Sequence, residues 1–232
     1  MAKVPPRESI SSTRSSSSTK MRHLLCWMLL AIMAQVPQNL TIAATGASGA
    51  LFLRELLKIV EADARITTVN FIASDNALRV FAEELEIRGR SDLVAQLLGS
   101  STKKIRQQGN NDIGANVASG SYPTDAMIVI PCSMGTLARV ASGHAGNLIE
   151  RAADVCLKEK RRLVLCVRET PLNKIHIRNM YRAVDAGATM YPLIPTFYNH
   201  PKSFEDLARQ FAYRVLAHIG LRQDEAFEWK RE

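Results

Sequence analysis

AMIVIPCSMGT, residues 126–136, decides the fold. Its first five residues are apolar without a break, the pattern of a parallel strand buried on both faces rather than of a half-solvated one. Pro131 ends the run, and Cys132-Ser133-Met134-Gly135-Thr136 leads into a helical stretch through Ala141. A strand that passes through small polar residues into a helix is half of a βαβ unit. The same grammar repeats on either side. Leu40 to Thr45 is short, apolar and β-branched and runs into Gly46-Ala47-Ser48-Gly49, after which Leu53, Leu56, Leu57 and Val60 recur at helical spacing. Residues 66–73 read as a second strand, ending at Ser74-Asp75-Asn76, and residues 77–87 as a helix. C-terminal to the opening stretch, residues 147–158 read as a helix, 162–167 as a strand, 173–186 as a helix and 189–193 as a short fifth strand. Ser203 caps a last helix that runs to His218, with Glu205 and Asp206 in its first turn. Residues 99–124, rich in Gly, Asn, Ser and Gln, form a long irregular section of the kind that is functional or mobile in a compact domain. Strands alternating with helices predict an α/β fold: a single domain built on a doubly wound parallel sheet, with ligands at the carboxyl ends of the strands.

The first 38 residues differ from the rest and predict a targeting leader, leaving residues 39–232 as the folded domain. Lys3, Arg7, Arg14, Lys20 and Arg22 face a single acid, Glu8, and residues 9–19 are almost entirely Ser and Thr. Such a segment is too polar to repay its ordering entropy and is expected to be disordered. The apolar block that follows, residues 24–34, is shorter than the roughly 20 residues a membrane span needs, so no integral span is expected. The basic, acid-poor composition suits an organellar transit peptide, and the apolar block also suits a secretory signal. Cys132, Cys156 and Cys166 show no metal spacing and are odd in number beyond the leader, where Cys26 lies. That favours reduced thiols and a mitochondrial destination. The chain's formal net charge is +8, half of it in the leader, and the remaining +4 is spread without basic blocks. Small anionic ligands fit this distribution, and a nucleic-acid surface does not.

Two loops could hold an anion. Thr45-Gly46-Ala47-Ser48-Gly49 joins the first strand to its helix, where small residues let backbone approach a phosphate and the helix N-terminus offers N–H groups. It is neither the dinucleotide fingerprint nor the Walker loop, and a tight strand–helix turn accounts for it equally well. Pro131 to Thr136 repeats the arrangement after the third strand. Two cradles on one sheet edge imply a single ligand with a phosphate and a polar ring system, and FMN fits. Arg168 and Glu169 lie just past another strand end, where an Arg is suited to bidentate phosphate capture. Arg161 and Arg162 read as surface charge. His144, His176, His200 and His218 are scattered without ligand spacing, and no metal is expected.

In order along the chain stand TGASGA (45–50), PCSMGTLARVASG (131–143), NLIERAADVCLKEKRRLVLCVRETPL (147–172) and FYNHPKSFEDL (197–207). With these motifs the sequence resembles the flavin prenyltransferases of the UbiX type, also known as phenylacrylic acid decarboxylases, over residues 40–229. The resemblance implies a flavodoxin-like, Rossmann-like fold, FMN binding, and a homododecamer with active sites between subunits. It also implies the reaction, in which dimethylallyl phosphate alkylates reduced FMN and the prenylated FMN serves a partner decarboxylase, as in ubiquinone biosynthesis. Matched residue by residue, Gly46, Ala47, Ser48, Ser74, Ser133, Met134, Gly135, Thr136 and Arg168 would hold FMN. Lys158, Tyr198 and Arg214 would hold the prenyl phosphate, with Arg151 and the Ser119-Gly120-Ser121 segment nearby. Lys158, Glu169, Trp229 and Glu84 would act in catalysis, Glu84 in proton transfer, with Glu83 or Glu86 as alternative counterparts. Asp75 departs from the family, which commonly has a basic residue after the Ser74 position.

No Asp-rich segment for a magnesium diphosphate is present, so a metal-free phosphate donor fits better. Lys158, Arg214 and the Tyr198 hydroxyl would stabilise the departing phosphate, and Trp229 would shelter the allylic cation. Two other functions are compatible with the fold: an FMN-dependent decarboxylase acting directly on an aromatic acid, and a non-catalytic flavin-binding regulatory subunit.

Overall fold

The computed structural model describes residues 36–228. The leader up to residue 35 and Trp229 lie outside the described residues. Six strands form one parallel sheet: β1 (Asn39–Ala44), β2 (Thr68–Ala73), β3 (Ile105–Gly109), β4 (Ala126–Cys132), β5 (Arg162–Val167) and β6 (Thr189–Met190), in the order β3-β2-β1-β4-β5-β6. The chain builds outward from β1 to β3, then crosses back to lay β4 on the other flank of β1. That reversal makes the crevice above β1 and β4 the switch point at which open α/β sheets bind ligands.

Strand β4 is buried along its whole length because it is apolar at every position, as expected for 126–130. One face packs against α1 (Ala50–Ala62), α2 (Asp75–Leu85), α3 (Leu93–Leu98) and α7 (Phe204–His218), with Leu56, Phe71, Phe81, Ile128 and Phe211 in that core layer. The opposite face packs against α4 (Met134–Ala141), α5 (Leu148–Lys158), α6 (Lys174–Asp185) and a 3-10 turn at Asn116–Ala118, around Met127, Val129, Leu137, Ile149 and Leu165. Ser74, Ser133, Asn147, Asn173 and Ser203 cap α2, α4, α5, α6 and α7, each accepting a backbone N–H from three residues on.

Three differences from the sequence reading have local causes. The irregular section 99–124 contains β3, an edge strand reading IRQQG, of which only Ile105 is buried. Its polar residues hide the alternation that would reveal it. The six-residue α3 was not expected and is too short to show periodicity. The fifth expected strand, 189–193, is the sixth strand, β6, and keeps ladder geometry only at Thr189–Met190, because Pro192 has no N–H to give. Tyr191 and Leu193 still donate to the Leu165 and Val167 carbonyls.

Beyond α7 the chain returns to the end of α1. Asp63 accepts the Arg65 guanidinium at 2.6 and 2.9 Å and the Gln223 amide at 2.9 Å, and Arg65 also donates to the Arg222 carbonyl at 2.8 Å. The Arg65 hydrogen bonds hold the Asp63 carboxyl far below the usual carboxylate range, against the opposing effect of burial. A depressed folded-state pKa stabilises above the unfolded pKa, about 3.9, and that stabilisation is lost as pH falls through the folded value. Asp63→Asn is therefore expected to cost about 1.5–3 kcal/mol at pH 7. Its deficit should shrink in urea titrations below about pH 4.

Candidate functional site

The two expected cradles are joined. The Thr45 hydroxyl donates to the Pro131 carbonyl at 3.1 Å and accepts the Ser133 N–H at 2.7 Å, while Thr45 N–H also donates to Pro131. One side chain therefore sets the spacing of the loops after β1 and β4. Pro131 leaves a gap in the ladder, and β4 shifts register against β5 between Val129 and Cys132, turning the chain into α4. Gly46 is required by close approach, since a Cβ there would lie 2.5 Å from Asn76 Cβ. Gly49 has φ +130° and lies against Leu193, so a larger residue is excluded on both counts.

The N-terminus of α1 differs from the expectation of open N–H groups. Gly49 offers no side chain, and the Glu84 carboxylate reaches across from α2 to accept the N–H of Gly49 at 3.0 Å and of Ala50 at 2.7 Å. Glu84 thus caps α1, and its negative charge occupies the position an anion would take there. Glu86 instead closes α2 in a left-handed conformation. Glu84→Ala is expected to cost about 0.5–2 kcal/mol, the range for a lost helix cap, measurable by chemical unfolding.

The anion positions that remain open are at α2 and α4. Ser133 accepts the Thr136 N–H and bonds the Thr136 hydroxyl at 3.2 Å, while Ser74 caps α2 beside Gly46. A Cβ on Gly135, in the first turn of α4, would meet nothing within 4 Å, so the helix start faces open space. Beside it lies a cavity of about 400 Å³ walled by Met134, Val167, Leu172, Met180 and Leu193, with Arg168 and Glu169 at its rim. Apolar walls suit a ring system, and hydroxyls, helix N–H groups and an arginine suit a phosphate. These residues fit FMN. Asp75, where the resemblance implied a basic residue, forms an ion pair with Arg90.

Apart from Glu84 and Trp229, the expected site residues fall into three clusters. Gly46, Ala47, Ser48, Ser74, Ser133, Met134, Gly135, Thr136, Arg168 and Glu169 gather at the strand ends. Ser119, Gly120, Ser121, Arg151 and Lys158 form the second cluster around α5. Arg151 donates to the Ala118 carbonyl at 3.1 Å and pairs with Asp154 at 2.7 Å. Lys158 pairs with Glu159, and a Cβ on Gly120 would come within 2.7 Å of Lys158 Nζ. Lys158 closes α5 just before β5 begins, so it lies at the edge where the strands start, opposite the FMN cradle. Tyr198 and Arg214 form the third cluster, with Thr196 and Phe227 around a cavity of about 490 Å³. Arg214 belongs to α7, on the sheet face opposite α5. One chain therefore does not bring Lys158 and Arg214 together.

Phe227 was not expected from the sequence. Gln210 of α7 accepts its N–H at 3.0 Å and donates to the Glu225 carbonyl at 3.4 Å, drawing the C-terminal segment over Arg214. A lone Phe near a terminus carries no periodic signal. The buried thiols take no part: burial pushes Cys132 and Cys156 up to about 12, leaving them protonated and unreactive near neutral pH. Among the described residues no group of three metal-ligating side chains occurs.

The Flavoprotein family matches residues 33–201. The chain is similar to the flavin prenyltransferase UbiX of Pseudomonas aeruginosa, at 41% identity over 199 residues, covering 83% of this chain and 94% of that one. It is similar to the flavin prenyltransferase UbiX of Halalkalibacterium halodurans at 40% identity, covering 83% and 93%. Among solved structures it resembles AnUbiX in complex with FMN and dimethylallyl pyrophosphate, with a TM-score of 0.74 and 38% identity, covering 84% of this chain and 98% of that one. A dodecameric FMN-dependent UbiX-like decarboxylase from Escherichia coli also matches at TM-score 0.74 and 38% identity, covering 83% and 100%.

Proposed function

Because the chain belongs to the Flavoprotein family and, within it, to the UbiX-type flavin prenyltransferases, we infer that it joins a dimethylallyl group to reduced FMN, making prenylated FMN. Bound FMN supplies the electron-rich ring that receives the prenyl carbon. The observation that carries this reading is the cradle itself: the loops after β1 and β4 locked together by Thr45, with open space above Gly135 and an apolar cavity beside it.

The chain's own residues divide the work. Ser74, Ser133, Gly135, Thr136 and Arg168 hold FMN, with Gly46, Ala47 and Ser48 shaping the turn. Lys158, Tyr198 and Arg214 hold the phosphate of dimethylallyl phosphate and stabilise the charge that grows on it as the carbon–oxygen bond breaks. Glu169 lines the same cavity beside Arg168. Glu84, engaged by Gly49 and Ala50, holds the turn and reaches the ring only if it leaves the cap. Trp229, outside the described residues, is assigned the sheltering of the allylic cation.

Lys158 and Arg214 act on one phosphate only if it sits between subunits, each residue coming from a different copy. The apolar surface around the cavities supports such an assembly: Leu172, Ile175, Tyr181, Ile194 and Phe197 are all exposed, with Tyr181 at 70%. The proposed assembly is a dodecamer. The product passes to a decarboxylase that uses prenylated FMN, in ubiquinone-type or aromatic-acid decarboxylation. Residues 1–38 act as a leader that directs the domain to mitochondria, supported by their basic, acid-poor composition. A fluorescent protein fused behind them should enter mitochondria, and retention in the cytosol would refute the targeting.

The test of function uses the full chain loaded with FMN and reduced anaerobically. With dimethylallyl phosphate or pyrophosphate, the extracted flavin should gain one five-carbon prenyl unit by mass. Unchanged FMN with both donors would contradict the transferase, and turnover of an aromatic acid by this protein alone would replace it with a direct decarboxylase.

A further inference from the structure

Arg161 reads from sequence as one more surface charge in Lys158-Glu159-Lys160-Arg161-Arg162. In the structure its guanidinium turns back across the donor cluster. One nitrogen donates to the Gly120 carbonyl at 2.6 Å and the other to the Tyr122 carbonyl at 2.8 Å. Among the described residues it forms no ion pair, so the whole fork is spent on this loop. Its backbone is fixed too, because Arg161 N–H donates to the Cys156 carbonyl at the end of α5 at 2.8 Å.

The effect on the loop is specific. Carbonyls 118, 120 and 122 are all taken by guanidiniums of one element and its tail, Arg151 at the first and Arg161 at the other two. The intervening Ser119 and Ser121 are left to point their hydroxyls at each other, 2.8 Å apart, and the Ser121 N–H adds a bond to Ser119 Oγ. The Tyr122 ring is tied into the sheet by the buried Asn70 amide at 3.1 Å. Gly120 is then pressed so closely on Lys158 and Glu159 that a Cβ would collide with both. Loop and lysine are therefore set relative to each other by a bond pair that only a planar, forked cation can make.

We propose that Arg161 is a positioning residue of the donor-phosphate site, its two hydrogen bonds to Gly120 and Tyr122 holding the Ser119/Ser121 hydroxyl pair in register with Lys158. The assignment rests on the prenyl-transfer reading for the identity of the donor. It does not involve the FMN cradle of the same chain, which lies at the other edge of the sheet. Loss of the fork should therefore weaken the donor and spare FMN.

The experiment compares wild type, Arg161→Lys and Arg161→Ala as full-length, FMN-loaded protein. Three quantities are read: amide hydrogen exchange at residues 119–122, FMN affinity, and calorimetric affinity for dimethylallyl phosphate with FMN left oxidised so that no turnover occurs. Arg161→Ala should speed exchange in that segment and weaken donor binding about 10- to 100-fold, the value of one or two hydrogen bonds to a charged group. FMN affinity should not change, and Arg161→Lys should fall between, since lysine keeps the charge without the fork. In steady state KM for the donor should rise more than kcat falls. Unchanged donor affinity, unchanged exchange, or a parallel loss of FMN affinity overturns the assignment. Wild-type protein that binds the donor without changing the flavin's mass would defeat the transferase reading alone, leaving Arg161 to be judged on binding. Wild-type protein that binds no donor would defeat both.

Discussion

Lys158→Ala or Arg214→Ala, in otherwise intact FMN-loaded protein, should lower kcat/KM for dimethylallyl phosphate by about 100- to 1,000-fold each, the cost of removing a group that stabilises charge developing in the transition state. Neither change should disturb the fold, because both side chains are exposed and neither belongs to a core layer. FMN should bind normally to both, since Lys158 lies at the strand-start edge and Arg214 outside the Gly135 cradle. The loss should be read by initial rates over a range of donor concentrations, with flavin content measured on the same samples.

The second large effect concerns the cradle. Gly135→Val should weaken FMN binding roughly 10- to 100-fold while leaving the apo-protein as stable as wild type. A Cβ on Gly135 would meet nothing within 4 Å, so the larger side chain would extend toward the ligand's volume instead. Overpacking of a filled site costs about 1–3 kcal/mol, or roughly 10- to 100-fold in affinity. Flavin absorbance after gel filtration, with thermal unfolding of the apo form, separates lost binding from lost folding. A variant that kept its flavin would move the ring away from the start of α4.

How much of this was readable beforehand depends on whether the residue types carried a pattern. The apolar run 126–130 and the capping residues Ser133, Asn147 and Ser203 set their elements to within a residue, because burial on two faces and helix capping each leave a local signature. Strand β3 left none, since an edge strand of Arg and Gln needs only one neighbour and little burial. At the site, residue types pointed to the cradle, but the pairing of its two loops through Thr45 joins positions 88 apart and has no local trace. The same holds for Glu84, whose partners Gly49 and Ala50 lie in another βα unit. Arg161 looked like its basic neighbours because a fork directed at backbone carbonyls leaves no mark on the side chains it serves. The separation of Lys158 from Arg214 follows from helix direction and sheet face, which motif order along the chain does not encode.

Subunit mixing decides whether a donor site is completed by residues of two different subunits. Lys158→Ala and Arg214→Ala proteins, each inactive alone, would be dissociated, combined in equal amounts and reassembled. If each site draws Lys158 from one copy and Arg214 from another, about one quarter of sites in a random assembly regain both residues, and prenyl transfer returns to that fraction. If activity stays at the level of the separate variants after demonstrated exchange of subunits, both residues act from the same chain and the shared site is wrong.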